Sequence, residues 1–185
     1  MAGAAATISG QQATMTSNQR TSRAAIDWQT FDIGSQAHVN IRQPSTDSVL
    51  FNRIQGNNPS QIFGGLTANG QVYLSNPSGF YFAPSASVNV GGLVATTHQL
   101  SLDEFMAGRD HFSRNGSTGH ILNEGHLKAA LGGYIALLAP EVRNHGVIMA
   151  ELGTGLLSPR GPSGYPSTYI KHLAAEVDAE SCTSG

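Results

Sequence analysis

Apolar and polar residues alternate along much of the chain, in short runs that end at glycine, proline, asparagine or serine. Val39 and Ile41, for example, alternate with Asn40 and Arg42 ahead of a proline. The same period recurs in residues 26–33, 49–54, 72–75 and 88–95. A period of two puts alternate side chains on opposite faces, and turns favour the bounding residues. The pattern therefore predicts a chain made mainly of short β-strands.

One segment, residues 101–108, has the features of a short helix instead. Ser101 stands at the N-cap position, Glu104 follows three residues later as in a capping box, and Gly108 ends the segment. We expect this helix to interrupt the strands as part of an insertion.

An internal repeat is the second feature of the pattern. Residues 123–129 and 144–150 share the pattern Asn-x-Gly-x-(Leu/Ile)-x-Ala at a spacing of 21 residues, and residues 89–95 give a third copy. The repeat residues are Asn89, Gly91, Asn123, Gly125, Asn144 and Gly146. A unit of this length fits one coil of a parallel β-helix, in which each coil stacks on the next at about 4.8 Å. The repeat thus predicts an all-β solenoid.

The pattern ends after Leu157, where three prolines fall within residues 158–166 and exclude a central strand. We therefore divide the chain into a β-helix domain at residues 1–158 and a tail at residues 159–185 whose structure the pattern does not determine. Within that tail, residues 168–179 have the spacing of a short amphipathic helix.

Composition narrows the range of partners and functions that the chain could have. Charged residues make up only 12% of the chain and the net charge is −2, so there is no electrostatic reason to expect nucleic acid or an anionic membrane as partner. The single cysteine, Cys182, allows neither an internal disulfide nor a cysteine-based metal cage. No apolar run is long enough for a membrane-spanning helix, and residues 1–6 do not form a signal peptide. If the protein is exported, its signal is not in this sequence.

The sequence contains few arrangements of side chains that are typical of catalytic sites. The seven histidines form no ligand pair at a standard spacing, so we expect no metal site and no cofactor. Parallel β-helices include polysaccharide lyases and hydrolases, but these need clustered carboxylates, which the repeat does not supply. We therefore predict that the chain is not an enzyme.

Ordered motif blocks resemble those of a known family. The blocks are residues 26–34 (IDWQTFDIG), 52–64 (NRIQGNNPSQIFG), 69–79 (NGQVYLSNPSG) and 91–97 (GGLVATT). In their order and spacing they are similar to the two-partner secretion domain, also called the haemagglutination-activity domain, of filamentous haemagglutinin and the high-molecular-weight adhesins. One departure is Ser78, where the family usually has asparagine.

The resemblance implies a right-handed, single-stranded parallel β-helix with capping strands at its N-terminal end. It implies that the chain is the N-terminal secretion signal and folding nucleus of a bacterial exoprotein. The implied partner is an outer-membrane two-partner secretion transporter with POTRA domains and a barrel, and the implied route is through the periplasm to the cell surface or medium. The cargo activity, whether adhesin, haemolysin, haem scavenging or toxin, stays open.

Two turn motifs are the candidate recognition residues. They comprise Asn57, Asn58 and Pro59, and Asn76, Pro77, Ser78 and Gly79. Their structural role is a β-turn with Gly79 at positive φ, and their functional role is display to the transporter. A second hypothesis makes the domain itself a module that binds carbohydrate or a host surface. Its platform would be the aromatic residues Tyr73, Phe80, Tyr81 and Phe82, for which packing in the core and the cap is the alternative that we favour.

Overall fold

The computed structural model describes residues 4–8 and 13–150, and these form sixteen β-strands and one helix. The strands are β1 Ala4–Ile8, β2 Thr14–Asn18, β3 Arg23–Ile33, β4 His38–Arg42, β5 Val49–Ile54, β6 Ser60–Ile62, β7 Gly65–Ala68, β8 Gln71–Ser75, β9 Gly79–Phe82, β10 Ser87–Val90, β11 Gly92–Thr96, β12 His120–Asn123, β13 His126–Ala129, β14 Ile135–Leu138, β15 Glu141–Asn144 and β16 Val147–Ala150. The helix α1 is Leu102–Met106, between β11 and β12.

The strand pairs of the described residues are parallel, and the strands inside each sheet pair with strands of the coils before and after them. The order in one sheet is β14-β11-β8-β5-β3-β6-β9-β12-β15, and in the other β16-β13-β10-β7-β4-β2. The long strand β3 pairs with β5 through its first half and with β6 at its last residue, so the first sheet covers two sides of the molecule. β1 pairs with β3 outside this order. The result is a β-solenoid of about six turns, which confirms the predicted parallel β-helix.

The strand register places the repeated residues. Asn123 is in register with Asn144, and both Gly125 and Gly146 follow at the next corner. The prediction that residues 89–95 form a third copy of the repeat is wrong. Asn89 lies on the exposed face of the second sheet in register with Lys128, while Phe82 is the residue in register with Asn123 in the preceding coil. Similar Asn-x-Gly patterns occur at two different corners of a coil, and sequence spacing alone does not distinguish the corners.

Gly91 likewise belongs to another corner than Gly125. Its backbone N–H donates to the carbonyl of Gly70 at 2.8 Å. A Cβ built on Gly133 would lie 2.0 Å from the Gly91 carbonyl oxygen. Gly70, Gly91 and Gly133 therefore form a glycine column that runs along the solenoid axis at one corner.

The inner faces of the strands fill one apolar core. Its largest buried members are Trp28, Phe31, Ile33, Ile62, Leu66, Leu74, Phe80, Phe82, Leu93, Ile121, Leu127 and Leu137. A second, smaller cluster lies outside the coil, on the outer face of β5, β8 and β11, and consists of Val49, Phe51, Tyr73, Val94, Leu100 and Phe105. On β5, β8 and β11 the strands are therefore apolar on both faces, the inner face packing in the coil and the outer face packing in this second cluster.

Helix α1 belongs to that insertion. The Ser101 hydroxyl accepts a hydrogen bond from the backbone N–H of Glu104 at 3.2 Å, as expected for an N-cap. The helix ends at Met106, two residues earlier than predicted, and Gly108 follows with φ +76°. The predicted helix is therefore present and shorter. The tail at residues 159–185, with its amphipathic segment, lies outside the described residues.

Candidate functional site

The two turn motifs lie side by side at one corner of the solenoid, because β6 and β9, the strands that follow them, pair in parallel. We call residues 57–60 and 76–79 together the turn corner. Asn76 connects its two halves. Its side-chain amide donates to the carbonyl of Asn58 and to the hydroxyl of Ser60, both at 3.0 Å.

The rest of Asn76 shapes its own turn. Its side-chain oxygen accepts from the backbone N–H of Ser78 at 2.9 Å, and its carbonyl accepts from the N–H of Gly79 at 3.0 Å. Its own N–H donates to the carbonyl of Thr96 in the following coil at 2.9 Å. The Asn76 side chain is fully buried, so these bonds form in a region of low dielectric, where each is costly to leave unmade.

Gly79 closes the turn in a conformation that other residues resist. Its φ is +113°, and a Cβ at this position would lie 2.4 Å from the carbonyl oxygen of His120. Ser78 contributes its backbone N–H to the turn. The serine that replaces the family's usual asparagine therefore leaves the turn intact.

Exposure divides the candidate residues into two groups. Asn57, Asn58 and Pro59 are exposed, and Pro77 and Ser78 are partly exposed. Asn76 and Gly79 are buried. The first group is available to a partner, whereas the second holds the corner in shape.

A cleft of about 580 Å³ opens beside the turn corner. Its walls include Asn57, Pro77 and Ser78 on one side and Glu104 and His111 of the insertion on the other. Its apolar lining comes from Phe51, Ile54 and Leu100. The turn corner therefore stands at the edge of a concave surface, the form that recognition sites usually take.

Two further motif blocks meet in adjacent coils. The guanidinium of Arg53 donates to both carboxylate oxygens of Asp27, at 2.6 and 2.7 Å. This hydrogen-bonded pairing lowers the pKa of the Asp27 carboxyl below its ordinary value of 3.8. On the inner face of the same strands, the indole N–H of Trp28 donates to the side chain of the buried Asn52 at 3.0 Å. These blocks are thus structural connections between coils.

Of the two alternatives for the aromatic residues, packing is correct for three of the four rings, and the exposed platform is wrong. Tyr73, Phe80 and Phe82 are buried, Phe80 and Phe82 in the core of the coil and Tyr73 under the insertion. Only Tyr81 is partly exposed, and its hydroxyl donates to Glu124 at 2.7 Å, a bond that raises the pKa of the phenol. Alternation suggested one exposed face per strand, but the insertion covers the outer face of β8.

Sequence reasoning also missed residues that support the site. Ser60 receives the Asn76 amide, and the Ser117 hydroxyl donates to the Pro77 carbonyl at 3.1 Å. Ser60 stands in the block at residues 52–64, where its side chain had no predicted role, and Ser117 stands in no motif block. Within residues 4–8 and 13–150, no helix has the length and apolar character of a membrane span, and no group of three or more His, Cys, Asp or Glu side chains could hold a metal ion.

Comparison with known proteins identifies the class. The model of the TPS secretion domain family matches residues 3–159, and the chain belongs to this family of two-partner secretion domains. The solved HMW1 secretion domain of Haemophilus influenzae is similar in structure, with a TM-score of 0.65 and 25% identity over 78% of this chain and 41% of that one.

Curated relatives show the same likeness in sequence. A heme/hemopexin-binding protein of Haemophilus influenzae strain Rd is 40% identical over 162 residues, which is 84% of this chain and 18% of that protein. A second Haemophilus influenzae heme/hemopexin-binding protein is 43% identical over 111 residues, 60% of this chain and 12% of its own length. The chain thus spans about a fifth or less of the length of these relatives. Neither they nor the HMW1 secretion domain carries the name of an enzyme.

Proposed function

We propose that residues 1–158 are the N-terminal secretion signal and folding nucleus of a larger exoprotein that an outer-membrane transporter recognises through its POTRA domains. The protein passes through the periplasm and reaches the cell surface or the medium. The observation that carries this proposal is the turn corner: family motifs joined by a buried asparagine, with exposed residues at the edge of a cleft. The cargo, including any heme or hemopexin binding of the kind named for the relatives, lies elsewhere in the exoprotein.

Solenoid folding supports transport without an external energy source. Each coil of the chain contacts mainly its neighbours, so folding can propagate from coil to coil as residues emerge. A folded coil cannot pass back through a narrow pore. Folding on the outer side of the membrane therefore biases the chain to move outward.

The exposed part of the turn corner is suited to contact the transporter. Asn57 and Asn58 make no side-chain hydrogen bond within the described residues, so their amides are free to bind a partner. Asn76, in contrast, has its side-chain amide and oxygen engaged. Recognition and turn formation are thus assigned to different asparagines.

This division gives the test. In the full exoprotein produced with its matched transporter, the double variant Asn57→Ala/Asn58→Ala should lower surface delivery several-fold and leave the melting temperature of the purified chain unchanged. The variant Asn76→Ala should lower both, because it leaves buried groups unpaired, at a cost of about 1–3 kcal/mol. Delivery is measured by surface immunodetection and stability by circular dichroism.

A matched control is Asn18→Ala/Asn89→Ala, which removes two exposed amides from the opposite sheet. It should be delivered like the wild type. Deletion of residues 1–158 should abolish delivery. Normal delivery of the deletion would contradict the secretion role, and normal delivery of Asn57→Ala/Asn58→Ala would contradict recognition through these amides.

A further inference from the structure

The insertion between β11 and β12 crosses the outer face of the first sheet. We call residues 99–119 the strap. Its first residue is joined to a residue further along it, since the backbones of Gln99 and Ser113 exchange hydrogen bonds of 2.8 and 2.9 Å. The Asn115 side chain adds a bond to the side chain of Gln99 at 2.6 Å. The strap is therefore a closed loop rather than a loose connection.

Aromatic rings hold the strap against the sheet. Phe105 of α1 is fully buried, with its ring centroid 5.0 Å from that of Phe51 and 6.1 Å from that of Tyr73. Phe112 places its ring 5.9 Å from Tyr73 on the other side. The Arg23 guanidinium lies 4.2 Å from the centroid of the Phe105 ring, in cation–π contact.

A polar network with an exposed member, Asp110, lies beside the same contact. Asp110 of the strap accepts from the Arg23 guanidinium and, at 2.9 Å, from the hydroxyl of Tyr73. The Tyr134 hydroxyl lies 3.0 Å from that of Tyr73 and 2.5 Å from the side-chain oxygen of Gln71. Burial raises the pKa of both phenols above the ordinary value of 10.0, so both hydroxyls keep their protons and can donate.

The network draws its members from distant parts of the chain. Arg23 begins β3, Tyr73 is in β8, Asp110 is in the strap and Tyr134 immediately precedes β14. The Tyr134 ring reaches Tyr73 by crossing Gly92, where an added Cβ would lie 3.1 Å from the ring. The network is complete only when all four segments have folded into the solenoid.

We propose that the strap is a lock that closes last and slows unfolding of the exported domain. The proposal rests on the proposed secretion function. Contacts that form after the rate-limiting step of folding leave the folding rate unchanged and act only on the unfolding rate. Such a lock would keep the emerged domain from slipping back, independently of how the transporter recognises it.

The test compares lock variants with a core variant of similar equilibrium stability. Asp110→Asn removes the charge that pairs with Arg23, and Tyr134→Phe removes the hydroxyl that bonds to Gln71 and Tyr73; both variants keep the shape of the side chain. In the full chain, each should unfold about tenfold faster in denaturant while its refolding rate stays within about twofold of the wild type. Ile121→Val, a substitution in the core of the coil, should lose a similar amount of stability, and part of that loss should come from slower refolding. If Asp110→Asn fails to fold, Tyr134→Phe still tests the proposal.

Limited trypsin digestion gives a readout of the strap itself. Arg109 and Arg114 are exposed on the strap, and Arg42 is exposed on the opposite sheet. Cleavage after Arg109 and Arg114 should speed up in the lock variants, with cleavage after Arg42 unchanged. Equal acceleration at all three sites would indicate general destabilisation and overturn the lock.

Surface delivery with the matched transporter completes the experiment. The lock variants should be delivered several-fold less well than Ile121→Val. Delivery equal to that of Ile121→Val, despite faster unfolding, would overturn the role of the lock in export. That result would leave the secretion function intact, because deletion of residues 1–158 and the Asn57→Ala/Asn58→Ala variant test it separately.

Discussion

Buried asparagines fix the register in which neighbouring coils of this solenoid stack. Asn52, Asn76 and Asn123 are almost entirely inaccessible to solvent, and each bonds to a neighbouring coil. Asn123, for example, donates to the side chain of Asn144 at 2.7 Å and accepts from the N–H of Gly125 at 3.1 Å. An apolar core alone would tolerate slipped registers, whereas a buried amide has its partners in one register only.

The ion pair between Asp27 and Arg53 is the charged counterpart of these amides, and it should make stability depend on acid. The folded-state pKa of Asp27 lies below its unfolded value of 3.8, so the stabilisation is fully present above that value and is lost as pH falls through the folded pKa. Asp27→Asn should reduce the free energy of unfolding at pH 7 by about 1 kcal/mol, since the pair is partly exposed.

Urea unfolding at pH 7, 5, 4 and 3 checks this expectation. The difference between wild type and Asp27→Asn should be constant at the two higher pH values and shrink at pH 3. Glu141→Gln is the matched control, because its ion pair with Arg143 is exposed and should contribute little. A difference that does not change with pH would show that shape rather than charge explains the loss.

At the scale of elements, α1 shows how a short helix acquires stability from packing. Five residues are too few for a helix that is stable alone, and the Ser101 cap adds only about 1 kcal/mol. Phe105 →Ala should therefore release the strap and cost about 3–5 kcal/mol. Met106→Ala, next to it but exposed, should change the free energy of unfolding by less than about 0.5 kcal/mol.

Hydrogen exchange distinguishes release of the strap from global unfolding. In Phe105→Ala, the N–H groups of Phe105 and Ala107, which bond within the helix, should lose protection. Those of β12 and β13, on the other two sides of the coil, should keep theirs. Retained protection at Phe105 would mean that the polar network of Asp110 is sufficient to hold the strap.

The elements also show what the sequence could and could not predict. Strands, their parallel stacking and the capped helix follow from local rules, namely period two, the 21-residue spacing and the Ser101–Glu104 pair. The place of Asn89 does not follow, because the corners of a coil resemble each other in sequence. The burial of Phe80 and Tyr73 does not follow either. It depends on which other segments pack against each face of a strand, and the alternation within the strand does not reveal this.

For the same reason, the two turn motifs could be located in the sequence, but the separate roles of their asparagines could not be predicted. The family resemblance marked Asn58 and Asn76 equally, and both stand before proline. Their exposure is opposite, because the Asn76 side chain is buried against Ser60 of the preceding coil whereas Asn58 faces solvent. Such a difference appears only in the packed structure.

At the scale of the whole molecule, the glycine column of Gly70, Gly91 and Gly133 is a place where neighbouring coils leave no room for a side chain. The free energy of a solenoid is the sum of its coils and of the contacts between neighbours, so a side chain in this column acts on a contact between two coils. A Cβ on Gly133 would lie 2.0 Å from the Gly91 carbonyl oxygen and 2.8 Å from that of Ala130. Both obstacles are backbone atoms and cannot turn aside as a flexible side chain would.

Gly133→Ala should therefore separate the coils locally and cost at least about 2–3 kcal/mol. Gly132→Ala is the control next to it, because its φ is +75° but its Cβ would meet open space, which limits the cost to about 1–2 kcal/mol of backbone strain. Urea midpoints measure both costs, and hydrogen exchange should show protection lost in β14 and β15 but kept in β4 and β5. Equal costs for the two variants would mean that the coils can move apart freely at this corner. A larger cost at Gly133, confined to the coils that meet there, would show that close stacking at one corner limits how these coils can pack.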